Sequence, residues 1–277
     1  MTPLFYLFRG ALPALRRLAT TVAIVITGMG GMPANGSALQ ADTVRVLAYN
    51  IHHGGGMDSI LDLDRIAALI RDVDPDLVAL QEVDSVTERT LRVDQAEYLG
   101  RLTGLTPVFG SFMPYQGGSY GMAVLSRLPI ERSENLRLPD GDEPRTSVMA
   151  VVRLPNSGAA LRFVGVHFYR TEVERSAQAV RLEQHLAAES LPTVLAGDFN
   201  SLPGSRVMDE LARSWQIVDK GDDNFTFPSW EPAREIDFIL LQPRAAFEVL
   251  RHQTLDEPIA SDHRPIVIDL VVRGSGR

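Results

Sequence analysis

The segment Gly197-Asp198-Phe199-Asn200 follows directly on the apolar run 193–196. It places a carboxylate and a carboxamide two residues apart, so a strand ending here presents both from one side. A base and a hydrogen-bond donor at one strand end suit work on a phosphate group. The same tetrapeptide also reads as a turn in which Asp and Asn bond their own backbone. Other polar residues stand at the ends of apolar runs: Asn50, Gln81-Glu82, His167, Asp237 and Ser261-Asp262-His263. Each alone has a plain reading as a turn residue, a solvated edge charge or a core histidine. Together they hold what phosphate-ester hydrolysis needs. Glu82 with Asn50 offers hard oxygen ligands for Mg²⁺ or Mn²⁺. Asp198 can orient or deprotonate the attacking water. Asn200, His167 and His263 can donate to phosphoryl oxygens as charge develops. Asp237 lies within an apolar strand, where a carboxylate needs a partner. Bonded to one nitrogen of a histidine, it would fix the tautomer and favour the imidazolium.

Elements that could position these groups follow from periodicity. A strand over 44–50 runs into the glycine-rich loop 54–56. Leu63, Ile66, Leu69 and Ile70 recur at helical spacing over 62–72, and Asp74-Pro75 ends that helix. Strands are expected at 77–80, 106–110, 119–126, 146–153, 161–167, 193–197, 235–241, 247–252 and 265–272. Further helices are expected at 93–103, 171–189 and 205–213, the long one burying Val173, Ala177, Val180 and Leu186. Consecutive strands with helices between others point to an α/β sandwich with mixed sheets. The chain shows no long linker and no internal repeat after Asp42.

Composition sets limits. With 277 residues, 45% of them hydrophobic, the chain can bury a substantial core. Its formal charge is −8, and the only charged residues before Asp42 are Arg9, Arg16 and Arg17, so the remainder is more acidic still. That argues against broad, nonspecific nucleic-acid binding, which Lys and Arg must supply. The absence of cysteine excludes disulfides and thiolate chemistry. Residues 1–41 combine a basic start, an apolar stretch from Leu18 to about Met29 and small residues at Gly36-Ser37-Ala38. This layout reads as an export signal giving a periplasmic or secreted protein. The competing reading is an uncleaved membrane anchor, although a span needs roughly 20 apolar residues.

Seven segments in order carry a family resemblance: Asn50-Ile51-His52-His53, Ala79-Leu80-Gln81-Glu82-Val83, Tyr120-Gly121-Met122-Ala123-Val124-Leu125-Ser126, Val166-His167-Phe168, Gly197-Asp198-Phe199-Asn200, Ile236-Asp237-Phe238-Ile239-Leu240 and Ser261-Asp262-His263-Arg264-Pro265. The chain resembles the endonuclease/exonuclease/phosphatase superfamily across residues 44–270. The resemblance implies a four-layer α/β sandwich of two packed, mostly antiparallel sheets, occupying residues 42–277. It implies Glu82 as the main metal ligand, assisted by Asn50 and Asp262, with Asp198 activating water and Asn200 binding phosphate. It implies His263 as the catalytic histidine, oriented by Asp237, and a histidine at 167 as in deoxyribonuclease- and sphingomyelinase-like members. Pro144-Arg145-Thr146 resembles a segment of bacterial members, in which Arg145 could grip a phosphate; the plain reading is a surface arginine. His52 falls on the side of Asn50 if the strand continues. Glu235 stands where many relatives carry a basic residue.

The implied substrate is a phosphate ester, first a lipid or small phosphodiester in contact with a membrane. A secreted nuclease using Arg89, Arg92, Arg101, Arg170 and Arg175 comes second, and a phosphomonoesterase third. A binding-only member would be expected to lack Glu82, Asp198 or His263, and all three are present. Nothing in the sequence calls for a protein partner.

Overall fold

The computed structural model describes residues 41–273. The expectations for the N-terminal segment fall outside these residues. Strands β1 (Asp42–Asn50) and β2 (Leu77–Ser85) lie parallel, joined by helix α1 (Leu63–Val73). After helix α2 (Gln95–Thr103) come β3 (Thr106–Tyr115) and β4 (Gly118–Ser126), then β5 (Ile130–Arg137), β6 (Thr146–Arg153) and β7 (Ala160–His167). Helix α3 (Glu172–Leu186) joins β7 to the parallel strand β8 (Thr193–Asp198). The chain ends with α4 (Arg206–Leu211), β9 (Gln216–Ile217), β10 (Asp237–Gln242), β11 (Phe247–Thr254) and β12 (Ile266–Val272).

Two six-stranded sheets result, ordered β11-β12-β1-β2-β4-β3 and β5-β6-β7-β8-β10-β9. Each is built around one parallel pair with its crossover helix, and the flanking strands run antiparallel. One core lies between the sheets, around Val46, Met122, Val148 and Phe163. A second packs α1 and α2 on the first sheet, and a third packs α3 and α4 on the other. This is the expected four-layer sandwich.

Local signals explain the boundaries. Asp62 caps α1 by accepting from the Arg65 N–H at 3.0 Å, and Asp94 caps α2 through Glu97 at 3.2 Å. Gly104 closes α2 at φ 72, in the left-handed region. One expectation needs correction, and two features lie outside the expected elements. Strand β5 lacks an apolar alternation because it is an edge strand exposed along most of its length. Helix α3 buries Gln178, Ala179, Leu182 and Leu186, leaving Val173 and Val180 exposed, so the valine stripe was the wrong face. Strand β1 stops at Asn50, and His52–Gly54 turn in a 3₁₀ segment with both histidines at φ 45.

Topology sets one functional edge. Asn50, the last residue of β1, pairs with Gln81 of β2, and His167 pairs with Asp198 at the ends of β7 and β8. The antiparallel β10 starts there with Asp237 opposite Asp198. Strands β12 and β6 also begin at this edge, preceded by Ser261–His263 and by Arg145.

Candidate active site

Gly197 allows the second sheet to form the site. Its φ of 144, and a Val166 carbonyl only 2.1 Å from where a Cβ would stand, exclude any side chain. The next residue, Asp198, satisfies both sequence readings at once. Its Oδ1 accepts from the Asn200 N–H at 2.7 Å, making the turn, while Oδ2 faces the site. Asn200 takes φ 48 and donates Nδ2 to the Phe168 carbonyl at 3.0 Å. One amide hydrogen of Asn200 is thereby committed to the backbone.

Around Asp198 Oδ2 stand Asn50 Nδ2 at 3.3 Å, His167 Nε2 at 3.4 Å and His263 Nε2 at 3.7 Å. Asn50 Nδ2 also lies 3.3 Å from Glu82 Oε1, so one amide bridges the carboxylates of the two sheets. As oriented, Asn50 gives nitrogen to both carboxylates and accepts the His52 N–H at its oxygen. An oxygen-ligand role requires the amide turned over, an orientation set by the hydrogen-bond network. His263 Nδ1 meets Asp237 Oδ2 at 2.9 Å, as expected, and its ring packs against Phe227 at 4.8 Å. The Ser261 hydroxyl donates to the Asn50 carbonyl at 2.7 Å, tying the His263 turn to β1.

Electrostatics separate the two site histidines. Burial favours neutral His263, but Asp237, through charge and hydrogen bond, reverses this and raises it to about 10. Burial and the nearby Arg145 push His167 down to about 3. His167 is thus neutral, and its 3.4 Å approach to Asp198 is not an ion pair. Burial, with the Asp237 charge added, pushes Asp198 up to about 7, the range that suits a general base. For Glu82, burial acts upward, but His53, His167, His263 and His52 outweigh it and hold the carboxyl below its usual range.

Glu82 sits on a bulge of β2 at φ 56, a costly backbone conformation held by its surroundings. Among the described residues its oxygens meet the Asn50 amide and, at 3.9 Å, His53 Nδ1, too far for a hydrogen bond. An ionised carboxylate with spare lone pairs, beside a second carboxylate, fits a hard divalent cation. Among the described residues, two groups of side chains converge closely enough to hold an ion: His52, His53 and Glu82, and Asp198, Asp237 and His263. Asp262 belongs to neither group. The 3₁₀ turn brings both histidines to Glu82: His53 Nδ1 lies 3.9 Å from Oε2, and His52, whose Nδ1 lies 3.0 Å from the Gly55 carbonyl, belongs to the same group.

Arg145 is buried, which removes the surface-arginine reading. Its guanidinium lies 4.9 Å from the Phe112 ring centre, 5.5 Å from Tyr169 and 5.8 Å from Tyr120. Glu143 pairs with one end, and Nε is buried without a partner. No spacing in the sequence marks this aromatic cage, because its three rings come from separate segments. Phe168 is core, packed on Phe199.

A family model described as the Endonuclease/Exonuclease/phosphatase family matches residues 47–263. The uncharacterized protein YbhP of Escherichia coli (strain K12) is 32% identical over 172 residues, which are 58% of this chain and 68% of that protein. The structure of an endonuclease/exonuclease/phosphatase from Beutenbergia cavernae superposes with a TM-score of 0.68 at 24% identity, over 84% of this chain and 72% of that one. A mannosyl-6-phosphatase of Bacteroides thetaiotaomicron gives 0.69 at 19% identity, over 82% and 99%. The human Nocturnin catalytic domain gives 0.66 at 21%, over 83% and 97%.

Proposed function

Because the chain belongs to the endonuclease/exonuclease/phosphatase family, whose members are metal-dependent phosphoric ester hydrolases, we propose that it is an exported Mg²⁺-dependent phosphodiesterase acting on a lipid or small phosphodiester. The hydrolytic reading rests on the Asn50 amide, which joins Glu82 and Asp198 at 3.3 Å each beside the His263–Asp237 pair. Glu82, with the Asn50 oxygen as a second ligand once its amide is turned over, would hold Mg²⁺ or Mn²⁺, which supplies charge neutralisation at the phosphoryl oxygens. Asp198 takes the proton of the attacking water. His263, protonated and aligned by Asp237, donates from Nε2 to the phosphoryl group as negative charge grows. His167 holds Asp198 Oδ2 in place, and Asn200 has a second amide hydrogen for phosphate. Arg145, at the start of β6, offers its unpartnered Nε–H to the same anion.

A lipid substrate is supported by where apolar side chains stay exposed. Of the eleven large ones exposed among the described residues, nine lie on segments at the site edge. Met57 and Ile60 follow β1, Val86 and Leu91 follow β2, and Val173 and Leu202 follow β7 and β8. Phe225 and Trp230 precede β10, and Ile259 precedes β12. Exposed apolar side chains concentrated on the segments of one edge favour an apolar or interfacial substrate. The nuclease alternative loses two of its arginines to carboxylates: Arg89 grips Asp84 at 2.7 and 2.8 Å, and Arg92 pairs with Glu88 at 2.8 Å. The test compares sphingomyelin in vesicles, a soluble chromogenic phosphodiester, a phosphomonoester and plasmid DNA. Preferred turnover of the vesicle substrate, reduced in Trp230→Ser/Ile259→Ser while the soluble diester is unaffected, is the expected result. Preference for DNA or the monoester would replace this reading. Sequencing the N-terminus of the mature protein tests export, since an intact residue 1 would favour the anchor.

A further inference from the structure

Lys220 is the only lysine in the chain, and only 7% of it is exposed. It lies between β9 and β10, and its ammonium serves the first residues of β10. Nζ is 2.5 Å from Glu235 Oε1, donates to the Asp237 carbonyl at 2.9 Å and lies 3.9 Å from the Phe238 ring centre. Asp237 is the residue whose carboxylate holds His263 Nδ1 and whose backbone pairs with Asp198. The other face of the same peptide chain is held more loosely, by Thr226 Oγ1 at 3.4 Å from the Asp237 N–H.

A buried ammonium is costly unless paired, and a buried ion pair is commonly replaceable by apolar side chains without loss of stability. Packing alone therefore gives no reason for a lysine here. Burial pulls the ammonium below its usual range, while Glu235, then Asp237, act to keep it charged. We propose that Lys220, locked by Glu235, is a positioning residue for the His263–Asp237 pair. It fixes the Asp237 peptide, and through it the carboxylate that orients the imidazole. The inference rests on the reading of that pair as catalytic. It also accounts for Glu235 where the family resemblance leads one to expect a basic residue: its carboxylate answers a lysine inside the protein, not a substrate.

A cavity of about 230 Å³ is lined in part by Lys220, Glu235, Phe238 and Asn224. This gives a small amine access and permits chemical rescue. The full chain would be assayed on its best ester as wild type, Lys220→Met, Lys220→Met/Glu235→Met and Lys220→Ala with added propylammonium, with Tm measured for each. Lys220→Met should lower kcat about 10- to 100-fold with KM within about twofold. The double variant should regain the wild-type Tm but not kcat, and propylammonium should raise kcat of Lys220→Ala. Recovery of both Tm and kcat in the double variant would reduce the pair to a structural role. An unchanged kcat in Lys220→Met, or a loss carried by KM, would also overturn the proposal. A wild-type chain that turns over no ester would remove the catalytic premise instead.

Discussion

Replacing Asp237 by Asn keeps the shape of the side chain and removes its charge. In the protein, Asp237 Oδ2 lies 2.9 Å from His263 Nδ1, with both side chains no more than 6% exposed, so solvent screens the pair little. A hydrogen bond to a buried charged group contributes about 1.5–3 kcal/mol. The Asn oxygen still accepts from Nδ1–H, so the full penalty of a broken buried ion pair, about 3–5 kcal/mol, is not expected. At about 1.36 kcal/mol per decade, the loss falls on kcat and amounts to roughly 10- to 150-fold. It falls on kcat because His263 donates most strongly once charge has developed on the phosphoryl group. The assay is steady-state hydrolysis of a soluble phosphodiester at saturating metal, with Tm followed in parallel. A kcat within threefold of wild type, or a loss confined to KM, would refute the assigned role of Asp237.

Two further predictions concern metal and pH. Glu82→Gln removes the charge that a hard cation needs, so half-maximal activity should require about 10-fold more Mg²⁺ or greater, and a chelator should silence the wild type reversibly; an unshifted metal titration would displace Glu82 as ligand. His252, on β11 with Nε2 buried and unpartnered, is held down to about 4 by burial and by Lys220. The folded protein refuses a proton there that the unfolded chain accepts near 6.5, so stability falls as pH drops from 6.5 to 4. Tm of His252→Gln should decline less steeply over that window, and parallel curves for the two proteins would contradict this.

The site was legible in sequence because its parts occupy the most regular places in the fold. Apolar runs buried on both faces, such as 77–80 and 193–196, are unambiguous, and the polar residue that ends each run must lie at a sheet edge. What was hidden depends on contacts distant in sequence. Strand β5 carries charges along an exposed edge and has no period to read. His53 approaches Glu82 only because the chain turns at residue 51, and two successive positive-φ histidines are not a pattern that propensity predicts. The cage around Arg145 draws Phe112 from β3, Tyr120 from β4 and Tyr169 from beyond β7. Lys220 carries no sequence signal, because the Glu235 carboxylate and the Asp237 carbonyl that it meets are brought to it by the fold. Each sheet repeats the same strand–helix–strand centre, although the sequence shows no repeat, since packing fixes burial and not residue identity.

The central claim is that Asp198 activates water for metal-dependent ester hydrolysis. The direct measurement is turnover of the ester panel by the full chain and by Asp198→Ala, with Mg²⁺, with Mn²⁺ and with a chelator. The account predicts turnover that needs the cation and falls at least about 100-fold in the variant, as expected for loss of a general base. Turnover that survives both the chelator and the substitution would contradict it.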